Sequence, residues 1–151
     1  MDIIDALEQD HHAIRTLFQG MLKNDELDQQ DRELLFPSLR AKILAHAEAE
    51  ERDLYGPLDE RGLMRDEVME GREEHRLTAE MMISMDKPDL TDEEWMAKLK
   101  VLKDVLGHHL DEEEEGLFVE ARRAFGKREA QELGKDYERT RDAIEAHLPR
   151  A

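Results

Sequence analysis

The sequence predicts an all-α protein: an antiparallel, up-down-up-down four-helix bundle followed by a short fifth helix at the C-terminus. Three observations predict this fold class. Patterns typical of strands are nearly absent, and long stretches are rich in Glu, Leu, Ala, Arg and Met, which favour helices. Only 8 Gly and 4 Pro occur among 151 residues, so the chain has few breaks. Short connections between long helices make consecutive helices antiparallel neighbours.

Each helix is predicted from an apolar periodicity of three and four residues that ends at a group of turn-forming residues. The predicted helices cover 2–22, 31–56, 64–86, 92–124 and 127–147. The breaks between them lie at Asn24–Asp31, Gly56-Pro57 with Gly62, Lys87-Pro88-Asp89, and Gly126. Thr91 stands three residues before Glu94, which predicts a capping box at the start of the fourth helix. We expect residues 1–124 to form the bundle and residues 125–151 to form a helix packed on it or appended to it.

Composition and charge disfavour several classes of function. Asp and Glu number 39 against 22 Lys and Arg, giving a formal net charge of −17, so we expect no binding to nucleic acid or to a membrane surface. The absence of cysteine excludes disulfides, thiolate catalysis and iron–sulfur clusters. No apolar run is long enough to span a bilayer, and Met1–Asp5 is too acidic for a signal peptide. We therefore expect a soluble, cytoplasmic protein.

One face of each long helix carries apolar residues spaced alternately by three and four, a pattern typical of a face that packs inside a bundle. We term this face the seam. Each seam is interrupted by polar residues at one level. The interrupting residues are His11 in the first helix, His46 and Glu50 in the second, His75 in the third, and His109 and Glu113 in the fourth. We expect these side chains to point inward at one level of the bundle.

An internal repeat relates these residues in pairs. A shift of 63 residues superimposes His46 on His109 and Glu50-Glu51 on Glu113-Glu114, so the pattern His-x-x-x-Glu-Glu-x-x-Leu-(Tyr/Phe) occurs twice. A shift of 64 residues carries Asp10-His11 onto Glu74-His75. The repeat indicates two similar helix pairs that face each other across a pseudo-twofold axis and place two ligand sets around one central point.

Imidazoles and carboxylates inside an apolar bundle point to bound metal ions. A buried polar group without a partner costs about 1–3 kcal/mol, and no Lys or Arg lies on the seams to pair with the two glutamates. A His and a Glu four residues later are about 40° apart around the helix, so both reach one ion. Nitrogen and oxygen ligands without sulfur favour iron, manganese or zinc. The ligand number suggests two ions, with Glu50 and Glu113 available as bridges.

Together these motifs resemble the hemerythrin-like HHE cation-binding domain family over residues 1–124. The resemblance implies a four-helix bundle with two iron ions in a non-haem di-iron centre, bridged by carboxylates and by an oxo or hydroxo group. By position, it implies that the iron ligands are His11, His46, Glu50, His75, His109 and Glu113. Members of the family bind dioxygen, respond to oxygen, nitric oxide or iron, or act in oxidative and nitrosative stress.

Two departures from the oxygen-carrying hemerythrins bear on function. Those proteins carry a second histidine four residues after the third-helix histidine, where this chain has Ala79, which we predict to lie on the seam of the third helix. They also carry an aspartate five residues after the fourth-helix histidine, whereas here Glu113 follows at four. We therefore expect one ion to be short of an imidazole. That position is expected either to stay vacant or water-filled and admit peroxide or nitric oxide, or to be filled by Glu74 or Glu80. Redox chemistry or sensing is favoured over reversible oxygen carriage.

Several neighbours of the candidate ligands are expected to have other roles. The histidines outside the seams are not predicted to be ligands; they are His12, His108 and His147. The first and last of these are expected on the surface, and His108 is expected to be partly buried with a structural or supporting role. Glu51 and Glu114 are expected on the exterior or in hydrogen bonds to ligands. Tyr55 is expected to pack at one end of the bundle, with ligation as the alternative.

Three classes of function remain open on the sequence alone. The first is a module that binds or senses dioxygen, peroxide or nitric oxide without turnover. The second is a di-iron oxidoreductase that consumes peroxide or nitric oxide. The third is a protein that handles iron or regulates an unidentified protein partner. The first is preferred because no pocket for a larger substrate is indicated.

Overall fold

A computed structural model of the chain describes residues 1–23 and 28–149. These residues form five helices and no strand, so the predicted all-α fold class is confirmed. The helices are α1 (Ile3–Leu22), α2 (29–60), α3 (Arg65–Ser84), α4 (92–124) and α5 (Lys127–His147). Residues 24–27 of the predicted Asn24–Asp31 break, and residues 150–151 of the predicted C-terminal segment, lie outside the described residues. Within the described ranges, no helix has the length and apolar character needed to cross a bilayer.

Helices α2 and α4 each contain a turn of π-helix, in which an N–H bonds to the carbonyl five residues earlier. Helix α2 comprises Gln29–Glu50, the π turn Glu51–Tyr55 and Gly56–Glu60. Helix α4 comprises Asp92–Glu112, the π turn Glu113–Leu117 and Phe118–Ala124. The Gly56 N–H bonds to the Glu51 carbonyl, and the Phe118 N–H bonds to the Glu113 carbonyl. One π turn therefore begins directly after Glu50 and the other begins at Glu113. Such turns are frequent at functional sites.

The second helix ends at Glu60 rather than at the predicted residue 56. The Gly-Pro pair does not end it, because Pro57 lies in the first turn of the segment Gly56–Glu60, and proline is tolerated in a first helical turn. The chain turns instead at Gly62, whose φ of 65° favours glycine. At the start of α4 the predicted capping box is confirmed, since the Glu94 N–H donates to Thr91 Oγ1 at 3.1 Å and the Thr91 N–H donates to the Glu94 carboxylate at 3.4 Å.

Two apolar clusters fill opposite ends of the bundle and show that the first four helices alternate in direction. One cluster joins the C-terminal parts of α1 and α3 to the N-terminal parts of α2 and α4. Representative members are Phe18, Phe36, Met82 and Trp95. The other cluster joins the opposite parts of the same helices. Representative members are Leu7, Leu54, Val68 and Phe118. Each helix therefore runs antiparallel to the next, and the polar residues of the seams lie between the two clusters.

Helix α5 packs against α1 and α2. The approach depends on Gly134, because a Cβ at this position would lie 2.9 Å from the carbonyl carbon of Asp2. Real side chains do not tolerate such a distance, so the contact requires glycine. One turn further on, Tyr137 is fully buried in the second apolar cluster. Helix α5 thereby carries a tyrosine into the interior, close to the candidate ligands.

Candidate metal centre

Six buried side chains form a polar layer between the two apolar clusters. They are the residues predicted from the seams, His11, His46, Glu50, His75, His109 and Glu113, each at most 7% exposed. Their ligand atoms fall into two groups, within each of which all atoms lie within 4.8 Å of one another. The first group contains His11, His46, Glu50 and Glu113, and the second contains Glu50, His75 and His109. The fold thus brings all six predicted ligands together, and Glu50 belongs to both groups.

The two glutamates lie between the groups. Glu50 Oε1 is 3.1 Å from His75 Nε2. Glu113 Oε1 is 3.4 Å from His11 Nε2 and 3.3 Å from His109 Nε2, so a single carboxylate oxygen contacts one histidine of each group. Both carboxylates are therefore placed where they can join the two groups, in keeping with the internal repeat.

The inward-facing atoms of this layer have no hydrogen-bond partners among the described residues. They are Nε2 of His11, His46, His75 and His109, both carboxylate oxygens of Glu50, and Oε1 of Glu113. Leaving such an atom unpaired in the interior costs about 1–3 kcal/mol. Coordination to a cation removes this penalty, because the lone pairs that lack protein partners then face a positive charge. The residues fit a metal centre, since imidazole nitrogen and carboxylate oxygen suit iron, manganese and zinc.

The outer nitrogen of each imidazole faces a carboxylate. The distances from Nδ1 to oxygen are 3.4 Å for His11–Glu114, 3.4 Å for His46–Asp10, 2.9 Å for His75–Glu51 and 2.7 Å for His109–Glu74. A carboxylate that holds the Nδ1–H leaves the Nε2 lone pair free for a metal ion and fixes the ring orientation. Glu51 and Glu114 thus contact histidines of neighbouring helices, one of the two placements expected. Glu74 hydrogen-bonds His109 and does not stand in for a ligand.

Helix α5 completes the surroundings of His46 through residues that the sequence analysis did not single out. Tyr137 Oη lies 2.7 Å from His46 Nδ1, and the same hydroxyl donates to the carboxylate of Asp10. The other oxygen of Asp10 accepts from Arg141 Nη1 at 2.9 Å. The signal in the sequence is a spacing of three and four: Gly134, Tyr137 and Arg141 share one face of α5. This spacing is typical of any helix face that packs on a bundle, so the sequence alone does not indicate contacts with the candidate ligands.

Tyr55 is buried beside the second group of ligands, where its hydroxyl donates to Glu113 Oε2 at 2.6 Å. Its ring stacks on His75, with centroids 5.6 Å apart and planes 10° from parallel. Phe118, at the equivalent position of the repeat, stacks on His11 at 5.3 Å. The expected packing at the bundle end is therefore only part of the role of Tyr55. Gly71 makes room for this ring, since a Cβ there would lie 2.8 Å from Tyr55 Cζ.

Two expectations near the site are wrong. His108 is exposed and pairs with Glu112 at 2.8 Å, because its face of α4 turns toward solvent with the half-exposed Val101. The seam of α3 passes through the buried Thr78 rather than through Ala79, and the Thr78 hydroxyl donates to the His75 carbonyl at 3.0 Å.

The surface expectations for His12 and His147 are met, whereas the expectation that Glu80 replaces a ligand is not. His12 and His147 are exposed, as predicted. Glu80 also lies on the surface, where it accepts from Arg76 at 2.7 Å. Glu80 is therefore turned away from the ligands and paired elsewhere, and it does not replace the missing imidazole.

The carboxylates control the protonation of the imidazoles. Burial alone lowers the pKa of His11, His75 and His109, but close contacts with neighbouring carboxylates and the charges of those carboxylates outweigh it and raise these pKa values to about 9, about 10 and about 9. Burial alone raises the pKa of Glu113, but the histidines that contact it hold that pKa well below its usual range. At neutral pH the polar layer therefore contains positive imidazoles, and a metal ion must displace their protons to bind.

A cleft of about 380 Å³ between α3 and α4 reaches the polar layer from the surface. His109, Glu113 and Tyr55 line its inner end, and exposed residues such as Glu70 and Glu115 line its mouth. The cleft therefore extends from the surface to His109 and Glu113, one residue of each ligand group.

Comparison with known proteins gives one match. A family model described as the hemerythrin HHE cation binding domain matches residues 2–121. Searches of curated proteins and of solved structures gave no match. The matched range contains all six side chains of the polar layer and ends before α5.

Proposed function

The chain belongs to the hemerythrin HHE cation-binding domain family, and from this premise we propose that it is a non-haem di-iron protein that binds a small oxygen- or nitrogen-based ligand. Dioxygen, peroxide and nitric oxide are the candidates. The proposed iron ligands are His11, His46, Glu50, His75, His109 and Glu113. The role preferred is sensing or a response to oxidative or nitrosative stress.

A single observation carries the proposal: seven buried, inward-facing ligand atoms converge without hydrogen-bond partners among the described residues. Their division into two groups that share Glu50 favours two ions over one. Two imidazoles and shared carboxylates give each ion fewer donors than an iron site with its usual coordination takes, which leaves a position for an external ligand. Manganese or zinc would fit the same atoms, so the choice of iron rests on the family.

Iron would supply the binding position and the electrons for such a ligand. The chain supplies the surroundings. Hydrogen bonds to Nδ1 of His46, His75 and His109 hold these imidazoles in one tautomer. The two apolar clusters exclude water from either end of the layer. The Tyr55 hydroxyl keeps its proton, because burial and the charges of Glu50 and Glu113 raise its pKa far above the usual value. Tyr55 thus presents a proton donor to Glu113 Oε2.

The test is iron analysis of the anaerobically loaded protein, combined with a visible spectrum before and after addition of peroxide or nitric oxide. We expect two iron ions per chain and a ligand-dependent charge-transfer band. His75→Ala removes an imidazole from the second group and is expected to lower iron content. His108→Ala is the matched control, because His108 is an exposed histidine of the same bundle. Equal iron content in the two variants, or no iron in the wild type, would contradict the proposal.

A second candidate, an oxidoreductase that consumes peroxide or nitric oxide, is favoured by the buried Tyr55 hydroxyl at 2.6 Å from Glu113. A proton donor at this point serves turnover, whereas simple binding does not need one. Tyr55→Phe removes the proton and keeps the ring. Under this candidate the iron-loaded variant consumes peroxide more slowly than the wild type at equal iron content. If the wild-type protein consumes neither peroxide nor nitric oxide, the oxidoreductase candidate is excluded and the sensing role remains. Transfer of its iron to an apo-acceptor would instead favour a role in iron handling.

A further inference from the structure

We propose that the cleft between α3 and α4 is the route by which metal cations reach the centre, and that they arrive on the His109 side. This inference rests on the proposed metal-binding function and adds how the ions enter. The first support is the inner end of the cleft. His109 is 1% exposed and Glu113 is 4% exposed, yet both line the cleft. His109 Nε2 and Glu113 Oε1 lack hydrogen-bond partners among the described residues and lie 3.3 Å apart.

The mouth of the cleft is strongly acidic. The carboxylates that line it between the surface and His109 are Glu67, Glu70, Glu74, Glu112, Glu115 and Glu120. No Lys or Arg is among the described residues of its lining. A cleft lined by one sign of charge focuses its field and raises the local concentration of the opposite ion. The opening therefore attracts cations and repels anions.

The other three sides of the centre carry a positive charge where the cleft has none. Behind His46, Arg141 pairs with Asp10 at 2.9 Å. Behind His11, Arg15 pairs with Glu114 at 2.7 Å. A guanidinium in each of these positions neutralises the carboxylate on Nδ1 and opposes the approach of a cation.

The side behind His75 also has an arginine nearby, whereas the side behind His109 has none among the described residues. Behind His75, Arg72 lies 3.9 Å from Glu51 and forms its shorter ion pair, at 2.7 Å, with Asp59. Behind His109, Glu74 has no Lys or Arg partner among the described residues, and it lines the cleft. Among the described residues, the carboxylate beside an Nδ1 atom that lacks a nearby arginine is therefore Glu74, and it lies on the side where the cleft opens.

The test measures how fast Co²⁺ binds to the metal-free protein, by stopped-flow absorbance at low salt. Glu70→Gln/Glu115→Gln neutralises two exposed residues of the mouth that are not ligands. Glu93→Gln/Asp104→Asn is the matched control, because it removes the same charge from exposed positions outside the cleft. We expect the cleft variant to bind about 3–10-fold more slowly than the control. The difference should shrink in about 1 M salt, where the screening length is about 3 Å.

A steric version of the test uses two glycines. Gly116 lines the cleft and Gly20 lies on the exposed face of α1, and a Cβ at either position meets no atom within 4 Å. Gly116→Leu fills the opening and is expected to slow Co²⁺ binding several-fold, whereas Gly20→Leu leaves the rate unchanged. The final Co²⁺ content should be the same in all variants.

Equal binding rates for the cleft variants and their controls would overturn the proposed route. That result is distinct from failure of the proposed function, which would appear as a wild-type protein that binds no Co²⁺ at the polar layer. His109→Ala, which removes a ligand at the inner end, identifies the layer as the place of binding by lowering the final Co²⁺ content.

Discussion

The two ring nitrogens of each histidine in the centre have different surroundings. Its Nδ1 faces a carboxylate from a different helix, and its Nε2 faces the interior without a partner among the described residues. A ring fixed in this way loses little conformational entropy when an ion binds, because its orientation is already set. The four proposed histidine ligands are therefore preorganised by residues outside the proposed ligand set.

The position of Tyr55 depends on the absence of a side chain at Gly71. We expect Gly71→Ala to push the Tyr55 ring away from Glu113 and to destabilise the metal-free protein by about 1–3 kcal/mol through overpacking. Urea unfolding followed by circular dichroism measures the change in the free energy of unfolding.

Gly107→Ala is the control for this substitution, because a Cβ at Gly107 meets no atom within 4 Å. In that case alanine is expected to stabilise α4 by about 0.5–1 kcal/mol, since alanine favours helices more than glycine does. The account of Tyr55 would be wrong if both substitutions changed stability in the same direction by the same amount.

At the scale of the helices, α5 is a supporting element of the centre. Arg141 and Tyr137 hold Asp10, whose pKa is lowered to about 2 because His46, Tyr137 and Arg141 together outweigh the effect of burial. We expect Arg141→Gln to leave the buried Asp10 without its cation and to lower the free energy of unfolding by about 1–3 kcal/mol at neutral pH.

Arg139→Gln removes the same charge from an exposed position of α5 and is expected to change stability by about 0.5 kcal/mol or less. Thermal unfolding of the two metal-free variants at matched ionic strength measures the difference. Indistinguishable midpoints would show that α5 does not act on the centre through Asp10.

The seams and the site residues within α1 to α4 were predictable because they depend on spacing along single helices. His46 and Glu50, four residues apart, mark a ligand pair wherever the helix packs. The contacts of Tyr137 and Arg141 were not predictable, since they depend on which groove α5 occupies. The π turns were missed as well, because an extra residue in a helical turn leaves no clear mark on the apolar periodicity. His108 was misplaced because Val101 and Val105 suggested a buried face.

For the molecule as a whole, the balance of charge predicts opposite pH responses with and without metal. The raised pKa values of His11, His75 and His109 stabilise the metal-free fold fully below the unfolded value of 6.5. This contribution is lost as pH rises through about 9 to 10. The lowered pKa values of Asp10 and Glu114 stabilise the metal-free fold at every pH above the ordinary pKa values of these carboxyl groups. This stabilisation is lost as pH falls through about 2.

We therefore expect the metal-free protein to lose stability as pH rises from about 6.5 to about 10, measured by urea unfolding at each pH. Metal binding should respond in the opposite sense. At pH 7 an ion displaces protons from imidazoles, so affinity rises with pH and metal is lost in acid. Calorimetry in buffers of different ionisation enthalpy counts the protons released. Release of no protons at pH 7 would contradict the assigned charges of the polar layer.

The most direct test of the central claim is the anomalous scattering at the iron edge from crystals of the iron-loaded protein. We expect two iron peaks between the Nε2 atoms of the four histidines, with the carboxylates of Glu50 and Glu113 between the peaks. Peaks only at exposed acidic residues, or none within the polar layer, would contradict the claim.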